Sequence, residues 1–495
     1  MTLSAALFNC IIFNIIKKYL LHDTMRYLAD TCTSLRQYKF ENRIMILNDD
    51  ASNAYYYNEQ FRQTVLNYRR KMKTKYHQFK FGLKLHHLKL AYSTNKTLHD
   101  IFEGVYYVDL SYAKELTDIT ALKNIPIVKA SSCTDLTKID ILSHNKDLSE
   151  QMVNTNYLNL NWYDSLNWYD NIEDCININS FISLEYCTAF TVFSSLKGIM
   201  HVDLSGCEQI TNADLVHFSD TKTLNLSGCH LISDVSMLSH LNGLDISKCP
   251  YIEDVSPLSK LHTLKLHCCR ITDVSALGKL NNLDLSCCYN LTVVSALGNV
   301  IKLNLSCCYN LTDVSALGNV KNLNLSSCDS LIDVSALGNV IDLNLNSCDN
   351  ITDVSALGKV IKLDLSNCDN ITDVSALINV ENLNLSACGN ITDIPYFNAK
   401  ILDLSCCRIT DFSRLINVKE LSLRHCMQIT DNDLQFFVNK DYVDLTGCKN
   451  ITNVDILLDN VQVLDLSFCI GITDISPFAD DKITTLNRYY IRRLK

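Results

Sequence analysis

The sequence predicts an α/β solenoid, a stack of short coils that share one parallel β-sheet, preceded by a small helical N-terminal region. The first observation is a tetrapeptide, VSAL, that returns about every 20 residues, beginning at Val274, Val294, Val314, Val334, Val354 and Val374. The second is a line of the form LxLSxCxxITD between the copies, as in residues 363–373. A unit this short cannot bury its own apolar face, so the units must stack on one another.

The spacing of apolar residues within one repeat predicts its local structure. The two-residue step from Leu303 to Leu305 is a strand period, with Asn304 pointing to the opposite face. The other apolar steps are three residues, which leaves room only for 3₁₀ or single-turn segments. Asp313 precedes one such turn and is expected to cap it. Strands are expected at Leu88, Val108, Val128, Leu158, Ile182, Val202, Leu224, Leu244, Leu264, Leu283, Leu303, Leu323, Leu343, Leu363, Leu383, Leu402, Leu421, Val443 and Leu464.

Cysteine recurs once per repeat. Of 23 cysteines, 16 fall at one repeat position: Cys133, Cys187, Cys207, Cys229, Cys249, Cys269, Cys288, Cys308, Cys328, Cys348, Cys368, Cys388, Cys407, Cys426, Cys448 and Cys469. An inward ladder of thiols acts as a row of small hydrophobes and predicts a reducing compartment, that is, a cytoplasmic and not a secreted protein. Three further cysteines, Cys268, Cys287 and Cys307, are expected on the outside of successive coils. They either fill space there, or oxidise, or share a soft metal.

Composition excludes several functions. The net charge is −10 and there are only 14 glycines, which argues against an electrostatic nucleic-acid binder and against phosphate-cradling loops. No nucleotide-binding, hydrolase or zinc-protease motif is present. We therefore predict a non-enzymatic protein with no catalytic, cofactor-binding or metal-binding residues, no small-molecule substrate and no membrane partner.

Two amphipathic helices are expected within residues 1–40. Apolar residues recur at helical spacing before and after His22-Asp23. A signal peptide is the alternative for the first 16 residues, but no basic residue precedes the apolar run and Lys17-Lys18 follow it. The run is also shorter than the roughly 20 residues that a membrane span needs.

This N-terminal region, residues 1–45, resembles an F-box. The similarity lies in the segments 7–20, 22–29 and 32–36: an apolar helix ending in Tyr19-Leu20, an acidic turn, and a second helix with Cys32. The resemblance implies docking to a Skp1-like subunit of a cullin ubiquitin ligase through Leu7, Ile11, Ile12, Ile15, Tyr19 and Leu20, which are otherwise core between the two helices. Phe8 stands where the family usually has proline.

Residues 88–486 resemble leucine-rich repeats, which implies a horseshoe with the parallel sheet on its concave face. The cysteine followed by Ile/Leu-Thr-Asp is similar to the repeats of F-box proteins, and the ITDVSAL corner also resembles the compact repeats of bacterial surface proteins. Chains that combine an F-box with leucine-rich repeats are also encoded by large DNA viruses, which would place this one in the host cytoplasm.

The segment between these regions, residues 46–87, is expected to be a basic linker or N-terminal cap. Residues 60–99 contain ten Lys or Arg with interleaved aromatics and no Asp or Glu. That mixture either caps the open end of the solenoid or, as an alternative, binds nucleic acid or an anionic surface through residues 62–96. Residues 487–495 form a C-terminal tail.

Departures from the repeat mark candidate contacts for a protein partner. The outward strand residues form a monotonous Asp/Asn row: Asp203, Asn225, Asp245, Asp284, Asn304, Asn324, Asn344, Asp364, Asn384, Asp403, Asp444 and Asp465. We expect these side chains to bond to one another along the ladder. The residues that break the pattern are Lys248, Lys265, His267, Glu420, Arg424, His425, Tyr442 and Phe468, together with Trp162, Tyr163, Trp168 and Tyr169 in the irregular segment 134–181.

The sequence therefore favours a non-enzymatic adaptor, the substrate-recognition subunit of an SCF-type (Skp1–cullin–F-box) ubiquitin ligase. Its expected partners are a Skp1-like protein and an unidentified protein substrate captured by the repeats. The alternatives are a repeat scaffold with no ubiquitin link, which the Phe8 departure favours, and binding to nucleic acid or an anionic surface through residues 62–96.

Overall fold

A computed structural model describes residues 44–47, 49–75, 80–85, 102, 105–113, 116–122, 125–137, 181–458, 460–473, 483–487 and 490–494. These residues divide between two compact units. The first unit holds the described residues up to 232 together with 240–249, and the second holds 233–239 and the described residues from 250 onward.

The first unit is a parallel sheet with two helices near its beginning. Its strands are β1 (Ile44–Leu47), β2 (Lys80–Lys84), β3 (Tyr107–Asp109), β4 (Ile127–Lys129), β5 (Phe181–Ser183), β6 (His201–Asp203), β7 (Thr223–Asn225) and β8 (Gly243–Asp245), each paired in parallel with the next. Helices α1 (Asp49–Tyr57) and α2 (Glu59–Lys75) lie in sequence between β1 and β2. Two strands of the sheet therefore fall within or beside the segment 46–87 that the sequence assigned to a cap.

The second unit continues the same pattern. Its strands are β9 (Thr263–Lys265), β10 (Asn282–Asp284), β11 (Lys302–Asn304), β12 (Asn322–Asn324), β13 (Asp342–Asn344), β14 (Lys362–Asp364), β15 (Asn382–Asn384), β16 (Ile401–Asp403), β17 (Glu420–Ser422), β18 (Lys440–Asp444) and β19 (Val461–Asp465), each parallel to the next. A short helix, α3 (Asp455–Leu458), precedes β19. The last strands, β20 (Ile483–Asn487) and β21 (Tyr490–Leu494), form an antiparallel hairpin in which β21 pairs with β19.

The coils of β3 to β17 each carry one three-residue strand with an inward leucine, valine or isoleucine at its centre, as the sequence predicts, whereas β18 and β19 have five residues. Leu303, for example, pairs in register with Leu283 and Leu323 and is buried. Leu88 and Leu158 lie outside the described residues. The register is fixed because a slip of one residue would turn the leucines out of the core.

The cysteine ladder is also confirmed. All 16 cysteines at the repeated position are buried. Cys308 is typical: its Sγ donates to the backbone carbonyl of Leu285 in the preceding coil at 3.3 Å. Burial raises the pKa of this thiol to about 12, so it stays protonated and inert at neutral pH. None of the 20 cysteines within the described ranges is joined in a disulfide.

Most coils have a 3₁₀ turn at the corner after the strand, as expected; none lies among the described residues between β15 and β16, and helix α3 takes this place after β18. These turns span Thr120–Leu122, Phe193–Leu196, Asn212–Phe218, Ser236–Leu238, Ser256–Leu258, Ser275–Leu277, Ser295–Asn299, Ser315–Asn319, Ser335–Asn339, Ser355–Lys359, Ser375–Leu377, Ser413–Leu415 and Asp431–Phe436. Asp313 caps its turn by accepting the backbone N–H of Ser315 at 2.9 Å. Gly318 lies within that turn, and a Cβ there would be only 2.4 Å from the Ala336 carbonyl oxygen of the next coil, so the position favours glycine.

A column of left-handed residues follows the strands, and the sequence did not indicate it. The residue before each ladder cysteine has a φ near +60°, as at Cys307 (58°), Ala387 (59°) and Phe468 (60°). Its N–H commonly donates to a backbone carbonyl of the following coil. The N–H of Cys307, for example, donates to the carbonyl oxygen of Ser326 at 2.8 Å. Most of these residues are not glycine, so each coil carries a conformation that is costly for an L-residue.

The Asp/Asn row does not bond chiefly along the ladder, which corrects the expectation from sequence. Each of its twelve side chains instead accepts the backbone N–H two residues later, at 2.8 to 3.1 Å. An Asp or Asn side-chain oxygen at the end of a strand favours this local turn, in which it accepts the backbone N–H two residues later. Four members of the row, Asp203, Asn225, Asp245 and Asp444, are buried.

A buried lysine supports the last coils. Lys440 is 1% exposed, and its Nζ donates to the carbonyl oxygens of Leu415 at 2.7 Å and Val418 at 2.8 Å. Burial and the nearby Lys419 lower its pKa to about 8. Lys440 thus supplies donors for backbone carbonyls at the end of a 3₁₀ turn.

Within the part of the chain that the structure describes, no helix is both long and apolar enough to cross a membrane.

Candidate functional site

The structure describes eight of the residues that the sequence singled out for contact with a partner. The proposed Skp1-docking residues, 7–20, and the aromatic residues at 162–169 lie outside the described residues, so both predictions stand as they were. Lys248 belongs to the first unit, where it is exposed with a φ of 58°. The other seven lie in the second unit, in two groups.

The larger group forms what we term the C-terminal patch: Glu420, Arg424, His425, Tyr442 and Phe468. Glu420 opens β17 and lies directly opposite Tyr442 of β18 in the parallel register. Arg424 and His425 follow β17, where the preceding coils have small polar residues. The sequence predicted these residues separately, and the strand pairing brings them onto neighbouring coils.

A buried carboxylate, Asp444, joins two residues of the patch, Arg424 and Tyr442. The Arg424 Nε donates to the Asp444 Oδ2 at 2.6 Å, and the Tyr442 hydroxyl donates to the same oxygen at 3.0 Å. The other oxygen, Oδ1, accepts the backbone N–H of Thr446 at 2.9 Å. The Asp444 side chain is 0% exposed whereas that of Arg424 is 54% exposed. The buried partner therefore fixes a guanidinium that still faces solvent.

The titration of these groups matches the geometry. Burial acts to raise the pKa of Asp444, but hydrogen bonds from Thr446 and Arg424 outweigh it and hold that pKa below its usual value. The hydrogen bond to Asp444 also raises the pKa of Arg424 above its usual value. Burial, followed by the charge of Asp444, raises the pKa of Tyr442. At neutral pH the pair is thus fully charged and the tyrosine is a neutral donor.

The two other aromatic residues of the patch, His425 and Phe468, lie in the left-handed column. His425 and Phe468 have φ values of 57° and 60°, and Gly447 lies between them in the column with a φ of 75°. A Cβ on Gly447 would lie 2.4 Å from the His425 ring, so only glycine lets that ring lie across the coil. Phe468 is 41% exposed.

The C-terminal patch has the composition of a contact surface. It combines a half-exposed guanidinium, a tyrosine, an exposed phenylalanine and a carboxylate, whereas the middle coils have Lys, Asn, Asp, Ser, Cys or Ala at the same places and no aromatic residue there. Arginine and aromatic side chains contribute most of the energy at protein interfaces. The arrangement is suited to bind an acidic or planar group of a partner by charge-assisted hydrogen bonds.

The smaller group lies at Lys265 and His267. Lys265 pairs in register with Asp284. The His267 Nε2 lies 3.2 Å from the Cys268 Sγ, and the ligating atoms of His267, Cys268 and Cys287 all lie within 4.8 Å of one another. Burial, Cys307 and Cys268 raise the pKa of the Cys287 thiol to about 12. His267, which the sequence predicted as a contact residue, therefore lies close to two of the outward cysteines, Cys268 and Cys287.

Asp444 was recognised in the sequence only as one member of a monotonous row. Its role depends on the arginine one coil earlier, at a spacing of 20 residues, and on the tyrosine two residues before it. Aligning the repeats in columns and searching for opposite charges in adjacent coils would have found it.

The fold described above is that of a leucine-rich-repeat solenoid, defined by its short parallel strands, its cysteine ladder and its 3₁₀ corners. No known protein-family model matches the sequence. No curated protein matches it either.

Solved structures similar to this chain are leucine-rich-repeat proteins. An internalin, InlF, from Listeria monocytogenes has 16% identity and a TM-score of 0.37, and the match covers 72% of this chain and 89% of that one. The functional domain of InlJ from Listeria monocytogenes, described as including a cysteine ladder, has 18% identity and a TM-score of 0.39, with 69% and 73% covered. TLR13 in complex with ssRNA13 has 17% identity and a TM-score of 0.45, with 80% and 57% covered.

Proposed function

We propose that this chain is a non-enzymatic protein-binding scaffold and that the C-terminal patch contacts the captured protein. The observation that carries the proposal is the Arg424 guanidinium, which a fully buried Asp444 fixes on an otherwise monotonous strand face. A fixed arginine loses little conformational freedom when it binds, so more of the interaction energy appears as affinity. Its Nε is used by Asp444, and the exposed part of the guanidinium can donate to a carboxylate of the partner.

The test compares proteins that co-purify with the tagged full chain from the cells in which it is naturally expressed. We expect a captured protein to be lost, or reduced at least tenfold, with Arg424→Ala and with Phe468→Gly. The second variant keeps the left-handed backbone, because glycine occupies the same position at residue 447. Arg408→Ala removes an exposed arginine outside the patch and serves as the control. Equal capture by all four proteins would contradict the proposal.

We further propose that the scaffold is the substrate-recognition subunit of an SCF-type ubiquitin ligase in the cytoplasm. The F-box resemblance of residues 1–45 supports the Skp1-like partner, and the ladder of buried, protonated thiols supports a reducing compartment. In this arrangement residues 1–45 dock the ligase while the repeats hold the protein to be ubiquitinated.

Co-expression with a tagged Skp1-like protein tests this second proposal. We expect the full chain and Arg424→Ala to be retained, and a chain lacking residues 1–45 to be lost. The double variant Ile11→Asp, Ile15→Asp is expected to behave like the deletion, because charge on an apolar docking face abolishes its burial. Failure of the folded full chain to bind would leave the protein-binding scaffold without a ubiquitin link.

A further inference from the structure

Three metal-ligating side chains converge beside β9 and β10. His267 and Cys268 are consecutive in one coil, and Cys287 occupies in the next coil the position that Cys268 has in its own. The His267 Nε2 and the Cys268 Sγ are 3.2 Å apart, and one ligating atom from each of the three residues lies within 4.8 Å of the other two. All three residues are half-buried, so a small ion can reach them from solvent.

The imidazole is oriented as a metal ligand would be. The His267 Nδ1 lies 2.9 Å from the Ser286 Oγ, and that hydroxyl donates to the Asp284 Oδ1 at 2.6 Å. Because the serine proton is given to the carboxylate, the serine oxygen accepts from Nδ1–H. The Nε2 lone pair then faces the Cys268 sulfur, 3.2 Å away. Such a second layer of hydrogen bonds commonly fixes the tautomer of histidine ligands.

The coil geometry holds the two sulfur atoms in place. Cys268 and Cys287 have φ values of 58° and 56°, and their N–H groups donate to Ser286 and Ser306 of the following coils at 2.9 and 2.8 Å. The fold does not require a thiol here, because Ser327 and Ser347 occupy the same position. Two adjacent thiols next to an oriented histidine therefore call for an explanation other than packing.

We propose that His267, Cys268 and Cys287 bind a thiophilic divalent cation of the zinc class. One imidazole and two thiolates form a nitrogen–sulfur donor set that zinc prefers, and three protein ligands leave its fourth position open. Bond lengths of about 2.1 Å to nitrogen and 2.3 Å to sulfur put tetrahedral ligand atoms roughly 3.5–3.8 Å apart. The observed separations therefore need only small side-chain rotations. Each thiol releases its proton to water as its sulfur–metal bond forms, and no electron is transferred.

Titration of the full chain with Co²⁺, under a phosphine reductant, tests the site. Cobalt reports thiolate ligation through a near-ultraviolet charge-transfer band and tetrahedral geometry through visible bands. We expect one equivalent to bind, and Zn²⁺ to displace it. Cys268→Ser and Cys287→Ser are expected to lose at least a hundredfold in affinity. The control is Cys406→Ser, which changes an exposed cysteine at the same coil position, with a φ of 61°, and leaves binding unchanged.

The variants separate metal binding from folding. Serine already occupies this position in other coils, so far-ultraviolet circular dichroism should be unaltered in all three serine variants. Ser286→Ala is expected to weaken cobalt binding about tenfold, because it removes only the orienting hydrogen bond. The proposal is overturned if the wild type shows no thiolate–cobalt band, or if Cys268→Ser and Cys287→Ser bind as the wild type does.

Discussion

Replacement of the buried Asp203 by asparagine should stabilise the protein at neutral and alkaline pH but not in acid. Asp203 is 1% exposed, and its Oδ1 accepts the Ser205 N–H at 3.0 Å and hydroxyl at 2.8 Å. Burial nevertheless dominates and raises the pKa of this carboxyl from 3.8 to about 7. Asparagine can make the same turn, because Asn225 in the next coil accepts the Ser227 N–H at 2.9 Å.

The size and sign of the effect follow from the two pKa values. Because the folded value lies above the unfolded one, the folded protein holds an extra proton between about pH 4 and pH 7. The carboxyl's contribution to stability is complete below pH 4 and is lost as the pH rises through 7. A difference of about 3 pH units corresponds to about 4 kcal/mol at 1.36 kcal/mol per unit. Asp203→Asn should thus gain about 4 kcal/mol over the wild type at pH 8 and almost nothing at pH 4.

Hydrogen exchange of the amides in residues 201–210 of the full chain is the suitable assay. Both proteins are compared at the same pH, so the intrinsic exchange chemistry cancels. The reciprocal variant, Asn225→Asp, is the matched control and should become less protected than the wild type as the pH rises. A difference between Asp203→Asn and the wild type that is the same at pH 4 and pH 8 would refute the reasoning.

Three further substitutions test the coil architecture by urea denaturation followed by circular dichroism. Val293 is 61% exposed where neighbouring coils have the capping aspartate, so Val293→Asp should raise the free energy of unfolding by about 0.5–1 kcal/mol, and a loss would contradict the capping role. Gly318→Ala should cost about 1–3 kcal/mol, because its Cβ would meet the Ala336 carbonyl oxygen at 2.4 Å, whereas Gly389→Ala, 3.3 Å from its nearest atom, should cost far less. Lys440→Met should cost about 2–3 kcal/mol by removing the donor to two buried carbonyls, and a neutral result would show that water replaces it.

The strands, the ladder and the 3₁₀ corners could be predicted because each rests on a local pattern. The step of two from Leu303 to Leu305 defines a strand, and the cysteine that recurs three residues after the second leucine, such as Cys308, must face inward. Asp313 also acts within its own coil, on an N–H two residues away. Local spacing and chemistry were sufficient for these elements.

The left-handed column could not be predicted, because its residues share no chemistry. Lysine, cysteine, serine, alanine, histidine and phenylalanine all occur there, at positions such as Lys248, Ala387 and His425. The stacking of coils imposes this conformation whatever the side chain, so no residue type marks it. The burial of Asp203 was missed for a related reason: most other members of the Asp/Asn row are half-exposed.

The candidate sites were only partly visible in the sequence. Arg424 and Tyr442 stood out as departures from the repeat, but the carboxylate that joins them belongs to a row that looked uniform. The cluster of His267 with Cys268 and Cys287 draws on two coils. Cys268 and Cys287 are 19 residues apart in the sequence, which is one repeat and not the spacing of a metal motif. Contacts between adjacent coils become visible only when the repeats are aligned in register.

Mapping where a captured protein binds tests the central claim most directly. Hydrogen exchange of the full chain is measured with and without the protein that co-purifies with it. The account predicts slower exchange in residues 420–425 and 442–446, around the Arg424–Asp444 pair, and little change in the uniform coils from 302 to 364. Protection confined to the uniform coils, with residues 420–446 unchanged, would contradict it.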